Sequence, residues 1–179
     1  IDAAVAAGFA LGICEPQSSG IGGGGFMVIR FAKTGETKFI DFREIAPKNA
    51  TPNMWKEDKD GNVIGNEKVV GGKSIGVPGE VKGMLYALEK YGTMSREKVM
   101  QPAIDLAENG YKVSAVLNRD MKNSFERIEQ YPETAEIYLD GGLPFEVGST
   151  LKNPDLANTL KKIMKNGEKA FYEGEIAEA

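Results

Sequence analysis

The chain of 179 residues contains no histidine. That excludes a Ser-His-Asp or Cys-His catalytic pair within it, and any histidine-ligated metal site. It contains one cysteine, Cys14, which excludes an internal disulfide framework and a cysteine-rich zinc centre. A lone thiol is compatible with either redox compartment. Long apolar runs are missing as well. The longest, Ala3 to Cys14, stops at Glu15-Pro16, short of the ~20 residues that span a bilayer as a helix. Neither sign of charge dominates: 22 basic residues face 26 acidic ones. The net charge of −4 argues against nucleic acid or anionic lipid as a partner. The chain opens on Ile1 with no basic segment ahead of an apolar one, so no secretory leader is read here.

What is present suits a folded protein. Apolar residues make up 41% and charged residues 27%, enough to bury a core. The length fits one domain or a large piece of one. Both ends read as helix, Asp2-Ala-Ala-Val-Ala-Ala at one and Gly174-Glu-Ile-Ala-Glu-Ala179 at the other. This implies a fragment of a longer protein, trimmed termini being the alternative.

Residues 2–14 are alanine-rich and apolar almost all round, which predicts a helix buried on every side, with Asp2 serving its first turn and Pro16 ending it. A loop with five glycines follows, Gln17 to Gly25. Phe26–Ala32 and Thr37–Phe42 are rich in strand formers and flank Lys33-Thr-Gly-Glu36, the pattern of a hairpin. Residues 47–76 carry neither period and predict a surface excursion with a turn at Asp60-Gly61. The remainder is helical. Val81, Met84, Leu85, Leu88 and Tyr91 recur at helix spacing before Gly92. Ser95 caps a segment in which Pro102 either kinks a helix or starts a second, with Gly110 as its end. Ser114 caps a longer helix through Leu117, Met121, Phe125 and Ile128 to Tyr131-Pro132. Asn153-Pro154 opens one more, with Leu156, Leu160, Ile163 and Met164 inward and Gly167 behind.

Four features carry candidate chemistry. Gly20, Gly22 and Gly25 satisfy G-x-G-x-x-G, but here a helix precedes and a strand follows. A dinucleotide needs the opposite order, with a helix N-terminus at the pyrophosphate. The glycines are instead expected where backbone packs too closely for a Cβ. Asp58-Lys-Asp-Gly-Asn62 begins like a calcium loop, but Val63 and Val69 stand where Gly and Glu are required, so a solvated turn is expected. Cys14, Ser18 and Ser19 are nucleophiles by type, with no spacing that supplies a base. Asp41-Phe-Arg-Glu-Ile-Ala-Pro47 sits where a strand gives way to irregular chain. Arg43 there offers a planar fork of donors matched to a carboxylate, with Asp41 and Glu44 available to orient it. Residue chemistry alone leaves two readings, a carboxylate clamp and a rim salt bridge.

Several strings together resemble the γ-glutamyltranspeptidase (glutathione hydrolase) family. They are Asp2-Ala-Ala-Val-Ala-Ala-Gly-Phe-Ala-Leu-Gly12, then Glu15-Pro-Gln-Ser-Ser-Gly-Ile-Gly-Gly-Gly-Gly-Phe-Met27, Asp41-Phe-Arg-Glu-Ile-Ala-Pro47, Gly76-Val-Pro-Gly79, and Pro102-Ala-Ile-Asp-Leu-Ala-Glu-Asn-Gly-Tyr-Lys-Val113. The resemblance implies an α/β (α+β) N-terminal nucleophile hydrolase fold, an αββα sandwich present only in part, with residues 1–179 the N-terminal segment of a large subunit. It implies a precursor that cleaves itself, and a small-subunit Thr, absent from this chain, that attacks a γ-glutamyl carbonyl with its own α-amine as base. The γ-glutamyl group then passes to water or to an acceptor amino acid or peptide. Arg43 is implied to bind the substrate α-carboxylate, with Glu44 supporting it. No cofactor and no metal is implied. The expected partners are the small-subunit part of the same precursor and a γ-glutamyl small molecule. Self-association of the fragment through an unpaired sheet edge is a further expectation. Relatives that act as acylases or attach capsule poly-γ-glutamate, and a non-catalytic module of the same fold, stay open. Most bacterial relatives are periplasmic or secreted, which sets the expected location and leaves the cytoplasm open.

Overall fold

In a computed structural model that describes residues 1–178, helices and short strands alternate along the chain. Their order is α1 (Asp2–Cys14), β1 (Gly25–Arg30), β2 (Thr37–Phe42), α2 (Glu80–Tyr91), α3 (Arg96–Asn109), β3 (Tyr111–Lys112), α4 (Ala115–Asn123) and α5 (Phe125–Glu129). Then come α6 (Pro132–Tyr138), β4 (Leu139–Asp140), β5 (Leu143–Pro144), β6 (Thr150–Leu151), α7 (Pro154–Asn166), α8 (Lys169–Tyr172) and α9 (Glu175–Glu178). The helix anticipated at the C-terminal end is α9; Ala179 lies outside the described residues. The chain divides into two compact units, residues 1–21 with 81–179, and residues 22–80.

The first unit is helical and is built around α3, against which both α1 and α7 pack. Val99, Met100, Ala103, Ile104 and Ala107 of α3 are buried, as are Val5, Phe9 and Ile13 of α1 and Ala157, Leu160 and Ile163 of α7. Burying a side chain such as Phe9 or Leu160 contributes roughly 1.5–3 kcal/mol. The caps predicted from sequence are formed. The hydroxyls of Ser95 and Ser114 accept from the Lys98 and Leu117 amides at 3.4 and 3.0 Å, and Asn153 Oδ1 accepts from the Leu156 amide at 3.0 Å. Each satisfies a helix-start N–H that would otherwise lack a partner. Arg96, at the start of α3, donates from Nε to the Met164 carbonyl at 2.7 Å, tying down the last turn of α7.

Three local expectations change. Helix α1 is buried along one face only: Ala3, Ala4, Ala7 and Leu11 are exposed, so its all-round apolarity is not matched by all-round cover. Asp2 stands in the first turn of α1, where its charge suits the helix dipole, but its side chain makes no cap. Its carboxylate accepts from the Thr93 amide and hydroxyl at 2.8 and 2.7 Å and from the Met94 amide at 3.1 Å, closing the turn after α2. The helix expected from Ser114 to Tyr131 breaks at Ser124, and a further helix, α6, begins at Pro132. Pro132 fits there because the first turn of a helix has no use for its missing N–H. Pro102, by contrast, lies inside a continuous α3.

The second unit is a hairpin with a long excursion. β1 and β2 pair antiparallel from Gly25↔Phe42 to Arg30↔Thr37, around a turn closed by Phe31 and Glu36. Beyond β2, Ile45 and Val77 form a bridge, with N–H···O distances of 3.2 and 2.8 Å. That bridge closes the base of the irregular stretch. Within it, Asp58 accepts from the Asp60 and Asn62 amides, both at 2.9 Å, and Gly61 takes a positive φ of 81°. The expected turn is there. The Asn62 and Asp60 backbone amides hold the Asp58 carboxyl below its ordinary range.

Candidate functional site

Arg43 follows directly on the last residue of β2. Strand alternation places Phe26, Val28, Phe39 and Asp41 on one exposed face of the hairpin and Met27, Ile29, Ile40 and Phe42 on the other. Continuing that alternation puts Arg43 on the face of Asp41. Asp41 fixes its backbone: the Arg43 amide donates to Asp41 Oδ1 at 3.0 Å. The anticipated orienting role of Asp41 thus falls on the main chain. Glu44 acts on the side chain, its Oε2 lying 3.3 Å from Arg43 Nε. This is an ion pair, not a well-aligned hydrogen bond, because Oε2 is shielded from solvent with no hydrogen-bond partner. Arg43 Cζ lies 6.0 Å from the centre of the Phe26 ring. The Arg43 side chain is 60% exposed and that of Glu44 29%.

The main chain under Arg43 is walled by glycines. A Cβ on Gly24 would meet the Phe42 carbonyl oxygen and come within 3.0 Å of the Glu44 nitrogen. A Cβ on Gly79 would meet the same Phe42 oxygen and come within 3.0 Å of the Arg43 oxygen. Gly79 and Glu80 in turn donate their amides to the Gly23 carbonyl at 2.9 and 3.0 Å. Backbone from the glycine loop and from Gly76–Gly79 therefore meets residues 42–44 at a distance no side chain permits. The glycine loop is scaffold here, as its order relative to helix and strand suggested. Gly22 is an exception, with nothing near the place of its Cβ.

Burial, and then the neighbouring Glu15 charge, push the Cys14 thiol above its ordinary pKa, which disfavours the thiolate. Ser18 Oγ donates to the Glu15 carbonyl at 3.4 Å. Among the described residues no cluster of acidic or sulfur ligands forms a metal site, and no helix is long and apolar enough to cross a membrane. A cleft of about 380 Å³ in the helical unit is lined by Pro16, Leu117, Met121, Ile128 and Tyr138 among others. Its charged members are engaged: Asp120 with Arg119 at 3.0 Å, and Arg127 with the Ser124 hydroxyl at 3.3 Å. What sequence reasoning missed at the Arg43 site is Phe26. A register counted back from Lys33-Thr-Gly-Glu36 would put Phe26 opposite Arg43; the observed ladder is shifted by two residues and sets it opposite Asp41, on the same face.

The chain superposes on a crystal structure of Helicobacter pylori gamma-glutamyltranspeptidase with a TM-score of 0.93 and 44% identity, over 99% of this chain and 50% of that one. This defines the class, a mixed helix-and-sheet protein of the N-terminal nucleophile hydrolase type. The model of the family described as gamma-glutamyltranspeptidase matches residues 1–179, and the chain belongs to that family. The glutathione hydrolase proenzyme of Bacillus subtilis (strain 168) is 42% identical over 177 residues, 99% of this chain and 30% of that protein. The capsule biosynthesis protein CapD proenzyme of Bacillus anthracis is also 42% identical, over 100% of this chain and 30% of that protein. The chain thus spans about a third of the length of these curated relatives.

Proposed function

We propose that these residues are the N-terminal segment of the large subunit of a γ-glutamyltransferase/glutathione hydrolase, and that Arg43 binds the α-carboxylate of the γ-glutamyl donor. The observation that carries this is the state of the Arg43 fork. Nε is occupied by Glu44, whereas Nη1 and Nη2 bond no other described residue. A guanidinium with both terminal nitrogens free and its inner edge paired suits a carboxylate arriving in bidentate fashion. A simple rim salt bridge would turn the fork itself toward Glu44.

In the full reaction the small-subunit Thr hydroxyl attacks the γ-carbonyl and passes its proton to the α-amine. The leaving amine departs with a proton, and the acyl-enzyme is resolved by water or by an acceptor amine. This chain contributes position: one charged grip on the far end of the donor, holding the γ-carbonyl in line with the nucleophile. The exposed apolar face of Phe26, Val28 and Phe39 supports a partner layer from the small-subunit part of the precursor. The full-length product is assigned to the periplasm or the exterior; recovery in the cytoplasmic fraction overturns that assignment.

The test is hydrolysis of γ-glutamyl-p-nitroanilide by the full-length, self-cleaved product. Arg43→Ala and Arg43→Lys are expected to raise KM, the Lys variant losing about 1.5–3 kcal/mol in kcat/KM with the second hydrogen bond. An Arg43→Ala enzyme with unchanged KM and kcat/KM overturns the clamp. The equal identity to CapD favours a second reading, a transpeptidase acting on capsule poly-γ-glutamate. Turnover of that polymer without turnover of glutathione selects it. Lack of self-cleavage and of both activities selects a non-catalytic module.

A further inference from the structure

The Phe26 ring lies against the Arg43 guanidinium, its centre 6.0 Å from Cζ. It lies directly across the ladder from Asp41, whose carboxylate holds the Arg43 amide. The Phe26 ring is itself backed by Phe39, with centroids 5.8 Å apart and planes inclined by 19°. These are diagonal neighbours on one face of the hairpin, a spacing that aromatic side chains bridge. Phe26 thus touches two groups on this face of the hairpin, the Phe39 ring and the guanidinium. The π-face of Phe26 attracts a cation while presenting no hydrogen-bond acceptor. It can therefore hold the guanidinium without competing for Nη1 and Nη2.

We infer that Phe26 is a positioning residue for Arg43. Glu44 holds the Nε edge, Asp41 the backbone, and Phe26 the face, so the fork is aimed before the donor arrives. An exposed arginine otherwise samples many rotamers, and selecting one on binding weakens affinity. The inference rests on the α-carboxylate reading of Arg43 and adds what orients that side chain.

The experiment uses the full-length, self-cleaved enzyme with γ-glutamyl-p-nitroanilide. Phe26→Leu removes the π-face and keeps the site apolar, and Phe26→Met is a second such variant should the first fail to mature. Each is expected to raise KM about threefold to tenfold, in line with a partly exposed cation–π contact, with kcat within about twofold. Phe26→Tyr keeps the face and is expected to restore KM to within about twofold. In an Arg43→Ala background Phe26→Leu is expected to have no further effect on KM. The inference is overturned if Phe26→Leu leaves KM unchanged while Arg43→Ala raises it. It is also overturned if Phe26→Tyr loses as much as Phe26→Leu, if kcat collapses together with KM, or if the Phe26→Leu penalty persists undiminished without Arg43. An Arg43→Ala enzyme with unaltered KM removes the carboxylate reading itself, an outcome distinct from the rest.

Discussion

The helical unit and the hairpin unit solve opposite problems. In the helical unit large side chains are turned inward: Phe9, Ile104, Leu160 and Ile163 are between 0 and 2% exposed. Its polar ends are closed by caps from the same unit. In the hairpin unit, Phe26, Val28 and Phe39 are 59, 69 and 62% exposed, and the tightest contacts are glycine backbone against backbone. The first unit derives its stability from its own apolar burial. The second is held in shape by close main-chain approach and leaves an apolar face and a charged fork facing outward. At Arg43 close-packed backbone carries a side chain that is 60% exposed and paired only along its Nε edge and its face among the described residues.

The comparison can be broken most sharply in the helical core. Leu160→Ala is expected to cost about 2–5 kcal/mol of stability in urea unfolding of the full-length protein, through lost transfer energy and a residual cavity. A cost below ~1 kcal/mol would show that this unit is not the stabilising one. In the hairpin unit, Gly79→Ala should act on activity in place of core packing. Its Cβ would force the Phe42 carbonyl aside, and a displacement of about 1 Å under Arg43 can lower kcat/KM by roughly a hundredfold. Near-normal kinetics in that variant would show that the glycine wall does not hold the site.

Smaller effects sharpen the contrast. Asn153→Ala removes the cap of α7 and should cost about 0.5–2 kcal/mol, read as a lower denaturation midpoint with an unchanged slope. Asp2 gives the mildest effect and a pH signature. Hydrogen bonds from the Thr93 hydroxyl, then the Thr93 and Met94 amides, hold its carboxyl below the ordinary range. Its folded pKa is therefore lower than its unfolded pKa. The stabilisation is fully present above the unfolded value and is lost as pH falls through the folded one. Asp2→Asn should flatten that part of the acid side of the stability profile. An identical profile in the variant would show that the carboxylate is not involved.

Much of the helical unit was legible because its signals are local. Ser95, Ser114 and Asn153 each announce a helix start within three residues, and Gly92, Gly110 and Gly167 follow helix ends. The break at Ser124 was not legible, since Leu117, Met121, Phe125 and Ile128 keep helical spacing straight through it. Nor was α6, because Pro132 reads as a stop after one segment and as a start before the next. At the candidate site, Arg43 and Glu44 stand out by residue type. Phe26 does not, since its role depends on which residue faces it across the hairpin.

The amino-acid sequence by itself determined the hairpin, the helix caps, the lack of a histidine within these 179 residues and the presence of a carboxylate-shaped fork at the end of β2. Each depends on residues a few positions apart or on composition. Only the tertiary structure decided that α1 has one covered face, that Asp2 serves the turn after α2, and that the backbone beneath Arg43 is pressed between Gly24 and Gly79. Those outcomes depend on groups distant in sequence meeting within about 3 Å, where a hydrogen bond forms or a methyl group no longer fits, and no local pattern encodes which groups will meet.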